Sequence, residues 1–225
     1  MSNAFVRKKY MRIGSACQGL YPRWFGAIMQ GIYSNEGGCK PMENYTIRVA
    51  EETDAKAVHD IYGAYVDGEN VTFTIDNPSV EAYRQKIIKT KKTYPFYIAE
   101  APDGKILGYV YGSPLRPHDA YQWNVESTIM LAPDAPRRQG IATALYTKFM
   151  DTLRLQHFQF VYGVLVDTNG PSIALHESLG FEEVGHFYNA GFKLGKWRGI
   201  LWMQKQIGNL EAEELIPFSE ICQKS

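Results

Sequence analysis

Between Glu43 and Gly208 the chain has no cysteine; its three stand at Cys17, Cys39 and Cys222. A thiol nucleophile, a zinc cluster and a disulfide framework are therefore not expected in the stretch that carries periodic structure. The odd count, confined to the flanks, suits a reducing compartment, so a cytoplasmic location is expected. Net charge is also lacking: 24 Lys and Arg balance 24 Asp and Glu. A neutral chain exerts no general pull on nucleic acid or on an anionic membrane, and any anion must be held locally. No apolar run approaches the ~20 residues of a membrane span. The phosphate loop G-x-x-x-x-G-K-[ST] and the three-glycine dinucleotide fingerprint are both absent.

What is present is an alternation of strand and helix patterns inside two atypical flanks. Residues 1–44 are Gly-rich and basic, with no acid before Glu36. They read as an N-terminal extension, with Met42 as an alternative start. Their uncharged stretch contains Gln, Gly and Pro and makes a poor signal-peptide core. Residues 208–225 read as a C-terminal tail that holds a short helix and suggests no chemistry. Residues 45–207 are the expected domain. "YTIRVA" (45–50) alternates like a strand, and Thr53 and Asp54 cap a helix running to about Val66. Asn77-Pro78 opens a second helix, with the proline in its first turn. "PFYIAE" and "ILGYVYG" flank Asp103-Gly104, a hairpin turn signal. "YQWNVESTIML" (121–131) reads as one long strand. An amphipathic helix follows, with Ile141, Leu145 and Phe149 at four-residue spacing. Then come the strand "FQFVYGVLV" (158–166), a short capped helix, and two strands within 181–207. The order β-α-α-β-β-β-α-β-α-β-β is that of one α/β layer fold, a single mixed sheet flanked by helices.

Three stretches carry the candidate chemistry. "RRQGIA" (137–142) opens a helix after a Pro-bounded loop. Helix N-termini expose unpaired N–H groups and partial positive charge, and small residues let a phosphate approach. Read by itself, it is either an anion site or an ordinary surface helix start with solvated arginines. In "QWNVESTIML", Glu126 shares the polar face of a strand with Asn124 and Thr128. A carboxylate in mid-strand is unusual. It is either a solvated outer-face residue or one directed into a cleft, where burial raises its pKa into a working range. "NGPSIALHESLGF" (169–181) is a helix with Pro171 in its first turn, Ser172 able to cap locally, and Gly180 as a left-handed stop that lets Phe181 fold back on Leu175. His176 borders its inward face, and by itself reads as a structural histidine.

Taken in order, "NVEST" (124–128), "RRQGIA", "NGPSIALHESLGF" and "GFKLGKW" (191–197), with the earlier "VTFTIDNPSVEAY" (71–83), resemble the GNAT N-acetyltransferases. The similarity is closest to the phosphinothricin acetyltransferase-like branch and covers roughly Thr46 to Gln206. The resemblance implies the GNAT fold, acetyl-CoA as donor, a primary amine as acceptor, and no metal. It implies Glu126 as general base, and His176 either as the acid that protonates the departing thiolate or as a partner in base work. Backbone groups of Ile129, Met130 and Leu131 would hold the pantetheine arm. Arg137, Arg138, Gln139, Gly140, Ile141, Ala142 and Thr143 would take the pyrophosphate, Asn169 would bond the pantetheine, and Ser172 would also bind the cofactor. The branch acetylates small amino acid analogues such as phosphinothricin, methionine sulfoximine and methionine sulfone. Arg116 stands where related enzymes clamp the acceptor carboxylate, a geometry suited to Arg. Leu115 replaces a neighbouring Trp, a departure that bears on sulfoximine acceptors. Phe73, Tyr121 and Tyr188 are candidate pocket residues, and a homodimer is expected. Two alternatives remain: a non-catalytic acyl-CoA-binding module, and an acetyltransferase acting on a protein amine or an aminoglycoside.

Overall fold

The computed structural model describes residues 45–68 and 71–222. The expected N-terminal extension, with Cys17 and Cys39, lies outside them. The elements are β1 (Thr46–Val49), α1 (Ala55–Val66), α2 (Val80–Thr93), β2 (Phe96–Glu100), β3 (Ile106–Pro114), β4 (Asn124–Leu131), α3 (Ile141–Leu155), β5 (Phe160–Val166), α4 (Gly170–Ser178), β6 (Glu182–Lys193), β7 (Lys196–Gln206) and α5 (Phe218–Cys222). Their order up to β7 is the one the hydrophobic periods predict.

Seven strands form one mixed sheet in the order β1-β2-β3-β4-β5-β7-β6. Among these strands only β4 and β5 run parallel, and α3 makes the crossover between them that a parallel pair requires. Helices α1 and α2 cover the face that carries Tyr109 and Tyr111. Tyr65 on α1 donates its hydroxyl to the Leu131 carbonyl at 2.7 Å. Helix α3 covers the other face, where Tyr97 and Thr152 share a 2.8 Å hydrogen bond. Tyr146, Phe149 and Leu153 of α3, at 0% exposure, fill that layer. No helix among the described residues is long and apolar enough to cross a membrane.

Several boundaries differ from expectation. Asp54 stands before α1 without capping it; its carboxylate accepts instead from the Glu51 N–H at 2.7 Å and from Arg48. Two further differences have a clear local cause. The second helix is capped by Ser79, whose hydroxyl accepts from the Ala82 N–H at 3.2 Å, and begins at Val80. Pro78 holds the residue before it out of the helical region, so Asn77 stays outside. Its amide instead ties α1 to α2, donating to the His59 carbonyl at 3.2 Å and accepting from the Tyr83 hydroxyl at 3.1 Å. The long strand begins at Asn124 rather than Tyr121, because Asp119–Tyr121 close a single 3-10 turn. The C-terminal tail is woven into the domain. Phe218 is 1% exposed in the core, and Gln156 Nε2 donates to the Ile216 carbonyl at 2.8 Å.

Candidate active site

The parallel pair matters most. β4 and β5 are joined from Asn124 against Phe160 to Ser127 against Gly163, and there the pairing stops. Yet β4 continues to Leu131 and β5 to Val166. Each keeps its outer partner, β3 and β7 respectively. From Thr128 onward the strands diverge, and their facing edges are open to an extended ligand that pairs as a strand would. Ile129, Met130 and Leu131 lie on that open edge.

The helix that follows is entered through a sharp loop. Arg138 and Gly140 have φ of 56° and 75°, both in the left-handed region. Such a turn makes successive N–H groups converge on a concavity that suits an anion, next to the positive end of α3. A side chain at Gly140 would meet nothing within 4 Å, so this approach is open. Arg137 bends back and donates to the Pro133 carbonyl at 3.0 Å, bracing the loop. Gln139, Gly140 and Thr143 border a surface depression of about 510 Å³, whereas Ile141 is 2% exposed and belongs to the core. Asn169 caps α4, its Oδ1 accepting from the Ser172 N–H at 3.3 Å. The local cap is thus Asn169, with Ser172 as the residue capped.

Neighbouring residues of β4 face opposite sides, and the site divides accordingly. Glu126 points to the α1–α2 face, into a cavity of about 210 Å³ whose walls include Tyr62, Thr72, Phe73, Tyr111, Thr128 and Ile200. Burial raises the Glu126 pKa above the usual carboxylate range, and the nearby charge of Arg116 partly offsets this. The Arg116 guanidinium stacks over the Trp202 ring, 5.0 Å from its centre, and donates to its own Leu115 carbonyl. Trp202 Nε1 is buried and has no hydrogen-bond partner among the described residues. Phe73 lines the same cavity as Glu126. Tyr121 and Tyr188 are not among the lining residues. Tyr121 sits in the turn before β4 and is 44% exposed, and Tyr188 is 75% exposed where β6 shifts register against β7.

Ser127 points to the α3–α4 face and joins a buried chain of hydrogen bonds. Its Oγ donates to the Tyr162 carbonyl at 2.9 Å and lies 3.0 Å from the Tyr146 hydroxyl. That hydroxyl lies 2.8 Å from His176 Nε2, and His176 Nδ1 donates to the Ser172 carbonyl at 2.7 Å. Four contacts need four hydrogens. Neutral His176, Tyr146 and Ser127 carry one each, so one contact goes short; an imidazolium would complete the set. Burial acts the other way and lowers the His176 pKa, against a smaller upward pull from the Ser172 carbonyl. The same burial pushes the Tyr146 phenol far above its ordinary range. The ring is 1% exposed. The His176 ring can lie close over β5 because residue 163 is glycine: a Cβ there would come within 2.6 Å of Nε2. Gly180 turns left-handed at φ 77°, and Phe181 folds back to donate its N–H to the His176 carbonyl at 3.0 Å. The Phe181 ring packs on that imidazole, 4.9 Å between centres.

Sequence reasoning missed Ser127, Tyr146 and Tyr62 as members of these clusters. No local motif marks them. Their partners lie across the fold, and an ordinary core tyrosine would read the same way.

An open edge of a splayed parallel pair takes an extended thioester arm, and a turned helix start beside it takes the phosphates at the arm's end. These features define the class of acyl-CoA N-acyltransferases. Comparison with known proteins narrows it. Residues 47–202 match the profile of the acetyltransferase (GNAT) domain. The chain belongs to the GNAT acetyltransferase family, as an acetyl-CoA-dependent N-acetyltransferase. It is 31% identical over 166 residues to the phosphinothricin N-acetyltransferase of Streptomyces viridochromogenes, covering 74% of this chain and 88% of that one. It is 29% identical over 161 residues to the L-methionine sulfoximine/L-methionine sulfone acetyltransferase of Pseudomonas aeruginosa, covering 71% and 92%. Among solved structures, the phosphinothricin acetyltransferase of Sinorhizobium meliloti in complex with acetyl-CoA superimposes with a TM-score of 0.72. The two are 30% identical, over 77% of this chain and 94% of that one.

Proposed function

We propose that the protein transfers the acetyl group of acetyl-CoA to the primary amine of a small amino acid-like acceptor of the phosphinothricin or methionine sulfone kind. The observation that carries this reading is Glu126. It is a carboxylate with a raised pKa, in a cavity of small-molecule size, under the field of one arginine. When bound, acetyl-CoA supplies a thioester carbonyl as electrophile and a thiolate as leaving group. The open β4 edge at Ile129, Met130 and Leu131 holds the arm, and the loop from Arg137 to Thr143 holds the diphosphate. Asn169 stands at the far side of the splay.

An amine attacks only when neutral. Glu126 takes its proton, and a raised pKa brings the carboxylate nearer the working pH, where general-base catalysis contributes typically ~10²–10⁴-fold. Arg116 pairs with the acceptor carboxylate, braced from behind by Trp202. This charge arrangement favours a zwitterion. A polycationic acceptor would call for an acid-rich cleft, and the cavity walls carry Glu126 as their single acid among the described residues.

His176 enters as a positioning residue acting through Tyr146 and Ser127, since its ring is enclosed. The chain it belongs to is one hydrogen short when neutral, so it is fitted to receive a proton as well as to hold β4 and β5 at the point where they part. The aromatic side chains Phe187, Tyr188, Phe192 and Trp197, exposed on the last hairpin, support the homodimer expected from the sequence.

The test is thiol release from acetyl-CoA over a panel of amines. Acetylation of phosphinothricin or L-methionine sulfone, with little turnover of aminoglycosides or peptide N-termini, is the expected result. No turnover with any amine, despite acetyl-CoA binding, would turn the assignment toward a binding module.

A further inference from the structure

The segment Val71–Thr74 has no regular secondary structure, yet Val71, Thr72 and Phe73 form a wall of the Glu126 cavity. Something must hold it, because a loop of this kind is ordinarily mobile. Helix α1 reaches it from one side. The Tyr62 hydroxyl lies 2.7 Å from Thr72 Oγ1 and 2.6 Å from Thr74 Oγ1, and the two threonine oxygens are 3.1 Å apart. The end of β6 reaches it from another. Lys193 Nζ donates to the Thr72 carbonyl at 2.9 Å, across 121 positions of sequence, and this lysine is only 8% exposed. Two residues earlier on β6, Gly191 lies against Phe73, where a methyl group would overlap ring carbons Cδ1 and Cε1.

Lysine is almost never fully buried unless it is paired, and burying its polar end is costly. A strand that only had to cover the segment would do so with an apolar side chain. The anchor itself is stiff. Lys193 pairs with Lys196 across a two-residue turn in which Leu194 and Gly195 both have positive φ, 50° and 76°, the tight turn that matches strand twist. The stretch 191–195 therefore offers one donor and one gap, and both engage the same neighbouring segment.

We infer that Lys193 and Gly191 are positioning residues of the acceptor site, fixing the Val71–Thr74 segment against β6 so that Thr72 and Phe73 stand in the wall of the Glu126 cavity. The inference rests on the acceptor reading given above and assigns a role to residues that touch neither donor nor acceptor. Lys193 sets where the Thr72 backbone lies, and Gly191 sets how close the Phe73 ring comes to the strand.

Full-length wild type is compared with Lys193→Met and Lys193→Arg, using phosphinothricin or L-methionine sulfone as acceptor. Lys193→Met is expected to raise the acceptor KM roughly tenfold or more while the acetyl-CoA KM stays within about twofold; Lys193→Arg, which keeps a donor, recovers most of the loss. Without substrates, amide hydrogen exchange in peptides covering residues 71–74 is expected to speed up in Lys193→Met, with α3 and β4 unchanged. A parallel rise of both KM values, or exchange that accelerates throughout the domain, marks a general structural role and overturns the inference. An unchanged acceptor KM overturns it as well. If the wild type acetylates no amine, the acceptor reading fails, and exchange alone decides the clamp: faster at 71–74 sustains it, unchanged at 71–74 overturns it.

Discussion

Glu126 and Ser127 are adjacent in the chain and work on opposite faces of the sheet. The carboxylate of one enters the cavity beneath α1 and α2, and the hydroxyl of the other binds Tyr146 of α3. The gap between β4 and β5 opens at this same level. An acceptor on one face and a thioester arm threaded between the strands would meet there, with neither having to cross the sheet.

Glu126→Gln removes the base while keeping the shape. The expected loss in kcat/KM is ~10²–10⁴-fold. In the wild type, kcat/KM should fall as the pH drops through the Glu126 pKa, on a limb lying above the ordinary Glu value of ~4.3 because burial raises it. The variant should lack that limb. Stability should move in the opposite sense to activity. A carboxyl whose pKa rises on folding contributes stability that is present below its unfolded value and lost as pH rises through the folded one. Glu126→Gln should therefore melt higher than wild type at neutral pH, with the difference closing toward pH ~4. Thermal melts across pH check this, and a variant that melts lower at neutral pH would contradict it.

Arg116→Ala carries two separate expectations. Removing the guanidinium withdraws the one charge that lowers the Glu126 pKa, so the acidic limb of the pH–rate profile should move to higher pH. The acceptor KM should rise for an amino acid, and change little for the corresponding amine without its carboxylate. Equal losses for both acceptors would show that Arg116 does not read the carboxylate.

Gly163→Ala places a methyl group where the His176 ring lies, within 2.6 Å of Nε2. Overpacking of this kind costs typically ~1–3 kcal/mol, seen as a lowered urea midpoint with an unchanged slope. Tyr146→Phe leaves the volume nearly intact and removes the shared hydroxyl. Its effect should therefore fall more on rate than on stability. A Tyr146→Phe enzyme with wild-type kcat at every pH would remove the buried chain from the mechanism.

Phe218→Ala tests the tail. The ring is 1% exposed and packs edge-on against Tyr97, 5.8 Å between centres. Truncating a buried phenylalanine typically costs ~3–5 kcal/mol. Denaturation should register a loss of that order, and a shift below ~1 kcal/mol would mean the tail is dispensable.

The element order was legible because each strand and helix carries its own hydrophobic period, which needs no knowledge of partners. Where an element begins depends on single hydrogen bonds, which is why Ser79 and Asn124 take the boundaries from Asn77 and Tyr121. The phase of Glu126 was readable from strand alternation. Its neighbours were not. Tyr62, Thr72 and Ile200 arrive from three separate stretches of chain, and nothing local in "IYG", "VTF" or "GILWMQ" marks a cavity wall. His176 shows the limit most plainly. The motif around it pointed to chemistry, but only the fold shows the ring enclosed by Tyr146, Phe181 and the backbone at Gly163. Tyr188 lies away from the Glu126 cavity for a reason of the same kind: β6 shifts register between Phe187 and Gly191, with Asn189 left-handed at φ 51°, and no sequence period announces such a shift.

The weaving of residues 208–222 into the domain bears on where this protein can be cut. The stretch shared with its relatives by family profile ends at residue 202, inside β7. A fragment ended there, or even at Gln206, would lose the acceptors that Glu211 and Ile216 offer to Gln159 and Gln156, and would strip Phe218 from the core. The unit that the family profile outlines is thus smaller than the unit that folds. A tag or fusion partner belongs beyond Cys222, and deletion mapping from this end should find its threshold between β7 and α5 rather than at the family boundary.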